Sequence, residues 1–476
     1  MILVRLRTLI TASLMVSSIS VPAQQKDAHD KVRVWLTDPS ASIFFKEQQA
    51  FSWSSEDTDL ITELPVISID PAKTYQTIDG WGWALTGGSA GHIFKMSAPA
   101  RAALLKELFG TGAVSDQIGG SYLRVSIGAS DLSDHVFSYD DVPAGQTDTA
   151  LTHFDLGPDR QELIPVLKEI LAINPAIKIM ASPWSPPAWM KTNHDTRGGS
   201  LQPEYYRAYA HYLIRYIQSM QNAGIHISAI TVQNEPLHPG NEPSLLMPAT
   251  EQAAFIKEAL GPAFRKAGLR TKIIIYDHNA DKPEYPISIL NDAGARQYVD
   301  GSAFHLYAGK IDALSEVHAA YPEKNLYFTE QWVGAPGNFK KDIPEHVGNL
   351  IIGATRNWAK TVVEWNLSSN PSLTPHTDRG GCDRCLGAVT IDGDKVVRNP
   401  AYYIIAHAAK FVRPGAVRIG SDSEEGLPNV AFRTPAGKIV LIVLNDGDVV
   451  KKFAVRYKGR EFDGQLGAGS VATYVW

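Results

Sequence analysis

Two glutamates far apart in this chain each close an apolar segment. Glu235 follows Ala229-Ile230-Thr231-Val232-Gln233-Asn234, and Glu330 follows Asn325-Leu326-Tyr327-Phe328-Thr329. Residues of these types predict buried strands, and each strand stops at an acid. In a parallel barrel every strand C-terminus opens on one face, so acids distant in sequence meet there. Two facing carboxyl groups, one giving a proton and one attacking carbon, are the equipment of retaining glycoside hydrolysis.

Positioning the pair takes a barrel. Eight segments read as buried parallel strands: 77–86, 121–128, 177–184, 228–235, 272–278, 301–307, 325–331 and 360–366. Helix-period apolar residues fill 98–109, 160–173, 203–223, 250–267, 311–320 and 344–358, with 401–412 as the last helix. The alternation predicts an α/β fold, a (β/α)8 TIM barrel over residues 71–413. Between 414 and 476 the pattern changes to short strands separated by Gly, Asp and Asn turns, which is antiparallel grammar. With a strand near Val34 these form an accessory all-β sandwich, to which residues 24–70 contribute.

The 476 residues are 44% hydrophobic and carry a formal net charge of -5. That is enough chain for a large barrel plus a smaller domain, and it offers no basic footprint for nucleic acid or an anionic membrane. Arg5 and Arg7 precede an apolar run that ends in Val21-Pro22-Ala23, so residues 1–23 read as a cleaved signal peptide. The run is too short and too rich in Ser and Thr to span a bilayer, and no later stretch is long enough. The expected location is secreted or periplasmic. The two cysteines, Cys382 and Cys385, read as a short disulfide. A zinc half-site or redox pair is the alternative, but no second Cys/His cluster has ligand spacing. No phosphate loop or metal motif is present, so no cofactor is expected.

The other strand ends are polar or aromatic: Arg124 and Asp131 near the second, Trp184 at the third, Asn234 at the fourth. Tyr276-Asp277-His278-Asn279 ends the fifth, His305 and Tyr307 the sixth, and Trp365-Asn366 the eighth. Such groups at this end of a barrel read as catalytic. Taken in order, Asn234-Glu235-Pro236, His305-x-Tyr307, Glu330 and Trp365 resemble the clan A barrel glycosidases. Asp79-Gly80-Trp81-Gly82, Ala181-Ser182-Pro183-Trp184-Ser185, Trp189-Met190-Lys191-Thr192-Asn193 and Trp365-Asn366-Leu367 narrow the resemblance to glycoside hydrolase family 30. It spans nearly all of the expected mature chain. Family members act on β-1,6-glucans, β-glucosides and glucosylceramide.

The resemblance implies roles. Glu235 is the acid/base, needing a raised pKa, and Glu330 the ionised nucleophile. Tyr307 or Arg124 keeps Glu330 charged, and Asn234 holds the sugar 2-hydroxyl. His305 orients the acid pair or a hydroxyl. Asp131, Trp184, Trp365 and Asn366 wall the sugar site. One departure is Gly87, where many members carry Asp in the loop after the first strand. The implied function is a retaining β-glycosidase on a β-glucan, oligosaccharide or other β-glucoside, foremost β-1,6-glucan. An exo-β-glucosidase or glucosylceramidase-like enzyme is the alternative, then a β-xylosidase. A carbohydrate-binding protein without activity comes last, because a pure binder gains nothing from a buried protonated acid.

Overall fold

The computed structural model describes residues 31–55, 64–112 and 116–476. The expected signal peptide and residues 24–30 lie outside them. Eight parallel strands close a barrel in chain order: Gly80–Ala84, Tyr122–Ile127, Lys178–Pro183, Ala229–Thr231, Lys272–Ala280, Val299–Gly309, Asn325–Glu330 and Ala359–Glu364. The strands are nearly continuous apolar runs because helices cover their outer faces. Inside, Tyr122, Met180, Ala229, Ile274, Ala303, Tyr327 and Val363 form one buried cluster with a side chain from each of seven strands. Gly82 is required here, since a Cβ on it would lie 1.8 Å from the Tyr122 carbonyl oxygen.

Three differences from the sequence reading affect the site. The fourth strand ends at Thr231, so Glu235 lies beyond it. The loop after the first strand is instead a helix, Gly87–Lys95, capped by the Thr86 side chain on the Ser89 amide. Its glycines hid it, because they weaken any helix signal. The segment 368–398 forms a three-stranded sheet of Ser368–Ser369, Val389–Asp392 and Lys395–Arg398, and pairs Cys385–Leu386 with Val333–Gly334.

The sandwich combines both ends of the chain. Lys31–Asp38 pairs antiparallel with Val471–Val475. Val66–Thr77 crosses the expected boundary at residue 70 and links the two layers. Its later residues pair antiparallel with Val417–Ser421, and its first residues pair parallel with Lys451–Tyr457. Alternation along Ile439–Leu444 sends Ile439, Leu441 and Val443 into the sandwich core. Val440, Ile442 and Leu444 go against the barrel instead. His407, on the last barrel helix Pro400–Ala409, bonds Thr37 at 2.7 Å and Thr473 at 2.9 Å. No helix among the described residues is long and apolar enough to cross a membrane.

Candidate active site

Arg124 anchors the barrel mouth. Its side chain is fully buried at the centre of the second strand. Four acceptors surround it: Glu330 at 2.5 Å, Asn234 at 2.6 Å, Asp277 at 2.9 Å and Ser182 at 3.1 Å. A guanidinium serves this purpose because its planar fork addresses several oxygens without losing its charge. The Trp184 ring lies 4.9 Å from it and the Trp365 ring 5.8 Å.

Asp277 is the matching anion, fully buried. Beside Arg124 it accepts from Thr231 and Thr329, each at 2.7 Å, from Ser182 at 3.2 Å and from His305 Nε2 at 3.1 Å. Burial opposes its charge, but Arg124 and His305 hold its carboxyl far below the ordinary aspartate value. A bulge places it. Tyr276 and Asp277 both have positive φ, 72° and 64°, and the strand register shifts there. The freed Tyr276 amide donates to Gln252.

The two glutamates meet over this hub. Ligating atoms of Glu235, His305 and Glu330 all lie within 4.8 Å of one another. Glu330 ends its strand and is bonded by Arg124 and, at 2.9 Å, by the Tyr307 hydroxyl. Glu235 sits in a loop at φ 44°. That loop is tied by the Asn234 amide to Pro183 and by the Glu235 amide to Asp277, so backbone from the third and fifth strands holds it. Its carboxyl meets His305 and Asn241, each at 3.4 Å, and His278 at 3.9 Å.

Charge around the pair is crowded. Burial opposes a charge on His305, but Glu330, Asp277 and Glu235 push its pKa up to about 9. Burial pushes His278 down to about 4, so it is neutral at pH 7. Taken one at a time, burial raises Glu330 on balance, while on Glu235 burial is outweighed by His305, which draws it down. The contacts decide the pair the other way. Glu330 has a permanent cation at 2.5 Å and a hydroxyl donor, whereas Glu235 has only longer contacts. We therefore place the proton the pair shares on Glu235. The same three groups form the one set of metal-capable donors among the described residues. Arg124 already occupies Glu330, and His305 turns its other nitrogen to Asp277, so the set fits an acid pair better than a cation.

The remaining expected residues divide. Trp184 and Trp365 stand with ring centroids 5.5 Å apart. Asp131 is buried beside the pair. Burial and the charges of Glu330 and Glu235 push its carboxyl up to about 8. Tyr307 is 38% exposed and so lies open to solvent. Asn366 is less free: its oxygen accepts from Ser89 at 2.8 Å and its amide nitrogen reaches the Cys385 carbonyl at 3.4 Å. Cys382 and Cys385 form a disulfide with Cα atoms 5.6 Å apart. The sequence left Asp277 open between a structural place and substrate contact, and it gave no role to Thr231, Thr329 or Ser182. A hydroxyl at the end of an otherwise apolar strand was the available signal.

A closed parallel barrel with carboxyl groups paired at its C-terminal mouth is the frame of a barrel glycosidase. The comparisons are more specific. Residues 78–412 match the glycosyl hydrolase family 30 TIM-barrel domain, and residues 415–474 match the family 30 beta sandwich domain. The chain belongs to glycosyl hydrolase family 30 and is a glycoside hydrolase. It is 35% identical to the endo-1,6-beta-D-glucanase neg1 of Aspergillus fumigatus over 426 residues, 84% of this chain and 85% of that one. It is 30% identical to the putative glucosylceramidase 1 of Caenorhabditis elegans, over 81% of this chain and 76% of that one. The solved structure of the endo-beta1,6-glucanase BT3312 superposes with a TM-score of 0.85 at 36% identity, covering 94% of this chain and 99% of its own.

Proposed function

We propose that this protein hydrolyses β-1,6-linked glucan with retention of configuration, through a covalent glycosyl-enzyme. The observation that carries the mechanism is the acid pair, with oxygens within 4.8 Å of each other at one barrel mouth. That falls on the short side of the roughly 6.5 Å at which an inverting water fits between them. Glu330 is the nucleophile, kept ionised by Arg124 and Tyr307. Glu235 holds the shared proton, gives it to the leaving oxygen, and then takes one from the incoming water. Asn234, fixed by Arg124, faces the 2-hydroxyl, and Asp131, Trp184 and Trp365 wall the sugar. The Aspergillus fumigatus endo-1,6-beta-D-glucanase at 35% identity and the endo-beta1,6-glucanase BT3312 at 36% support the linkage. The basic and apolar residues at 1–23 support export.

The test is product analysis on β-1,6-glucan, β-1,3-glucan, aryl β-glucosides and glucosylceramide, with the first-formed anomer read by NMR. Rapid cleavage of β-1,6-glucan to β-anomers is expected. A first-formed α-anomer overturns retention. Preference for glucosylceramide overturns the linkage in favour of the reading that the nematode relative supports.

A further inference from the structure

The bridged turn Cys382–Cys385 touches residues from three separate strand ends. The Gly381 flank of the turn lies against the backbone carbonyl of Asp131. The Cys385 carbonyl accepts from the Asn366 side chain. Cys385 also packs in one buried cluster with Trp184 and Trp365, which Cys382 borders. The turn is anchored on both flanks. Cys385 pairs with Gly334, just past Glu330, and the Ala335 amide donates to the Arg384 carbonyl at 2.8 Å. On the other flank the Thr377 amide donates to the Asp131 carbonyl at 2.9 Å, and Arg379 forks onto Asp195 and Glu242. Gly381 allows this closeness, because a Cβ there would lie 2.5 Å from Thr377 and 2.8 Å from the Asp131 carbonyl. In contrast, Arg124, Asp277 and His305 make no hydrogen bond to the turn among the described residues.

We propose that the Cys382–Cys385 bridge is a positioning device for the sugar wall. Closed, it holds Asp131, Trp365 and Asn366 in register for one sugar. Open, it loosens the wall and leaves the acid pair in place. This rests on the functional reading above. Cys385 is buried, but Cys382 is only half-buried beside the exposed Asp383 and Arg384, so a reductant reaches the bridge from the Cys382 side.

The experiment compares oxidised wild type, dithiol-treated wild type and the double variant Cys382→Ser/Cys385→Ser on an aryl β-glucoside. The dithiol gives two electrons and two protons, closes to its own disulfide and leaves two protein thiols. Opening the bridge should raise KM by about tenfold, the size of one lost hydrogen bond to a charged or well-placed group. The two limbs of the kcat–pH profile should not move, and reoxidation should restore KM. An unchanged KM overturns the proposal, as does a loss in kcat with shifted limbs. If the double variant fails to fold, the reduced wild type alone decides. Oxidised wild type inert on every β-glucoside would remove the functional reading instead, with the bridge untouched.

Discussion

The two acid-bearing strand ends are built in opposite ways. Glu330 is the last residue of its strand, and its charge is held by side chains: Arg124 on one oxygen, Tyr307 on the other. Glu235 lies four positions past a strand that stops at Thr231, in a left-handed backbone conformation. Backbone hydrogen bonds to two neighbouring strands hold that loop, and its carboxyl meets only longer contacts. One end is stiff and charge-compensated, which suits an anion that must attack along a fixed line. The other is strained and weakly compensated, which suits a proton that must be released and regained.

The comparison can be broken first at Glu330. Glu330→Gln should lower kcat on every substrate by about 10⁴-fold or more, because no covalent intermediate forms. Glu235→Ala should cost about 10²–10⁴-fold on glucan, which needs protonation of its leaving oxygen. On an aryl glucoside with an acidic leaving group the first step should survive, and azide should restore turnover as the β-glycosyl azide. An α-azide from Glu235→Ala, or rescue of Glu330→Gln with β-product, would reverse the two assignments. Arg124→Met should strand Asp277 and cost about 3–5 kcal/mol, read as a lower denaturant midpoint.

A pH series sharpens the charge side of the comparison. The pKa of His305 is about 9 in the fold against 6.5 ordinarily, so the stability it contributes is complete below 6.5. That contribution should fade as pH rises through about 9. Thermal midpoints of wild type and His305→Gln should therefore converge across that window, and parallel curves would count against a charged His305. The smallest effect belongs to Tyr307→Phe. It removes one donor from Glu330, so the acid limb of kcat/KM should move up in pH with about a tenfold loss. A shift of the alkaline limb instead would place that hydroxyl on Glu235.

The same contrast explains what the sequence made legible. All eight barrel strands could be read because both their faces are buried, giving unbroken apolar runs. The strand that carries Glu330, expected over 325–331, runs over Asn325–Glu330, one residue shorter. The fourth strand was overread, since Val232 and Gln233 are buried like strand residues and the Val232 amide still donates to Ile274, although the strand ends at Thr231. The positive φ of Glu235 and the backbone bonds from Asn234 to Pro183 and from Glu235 to Asp277 mark the chain leaving the strand, and none of them is written in the local sequence. Asp277 stayed open between a structural place and substrate contact because a bulge positions it, with Tyr276 and Asp277 at positive φ. Val66–Thr77 runs through the expected boundary at residue 70, and it accommodates Asp70-Pro71 at a shift in register.

The pairing of Lys31–Asp38 with Val471–Val475 has a consequence for how the molecule is made. A ribosome delivers the first of these strands more than four hundred residues before its neighbour. Throughout that interval Val32 already pairs with Phe51, but Val34, buried in the finished protein, lacks Tyr474 on the strand's other edge. The barrel can close as soon as its eighth strand has emerged, but the sandwich must wait for Val475. Synthesis therefore leaves an adhesive N-terminal edge for a chaperone or an export pathway to shield, and a truncation near the C-terminus exposes the opposite end of the chain.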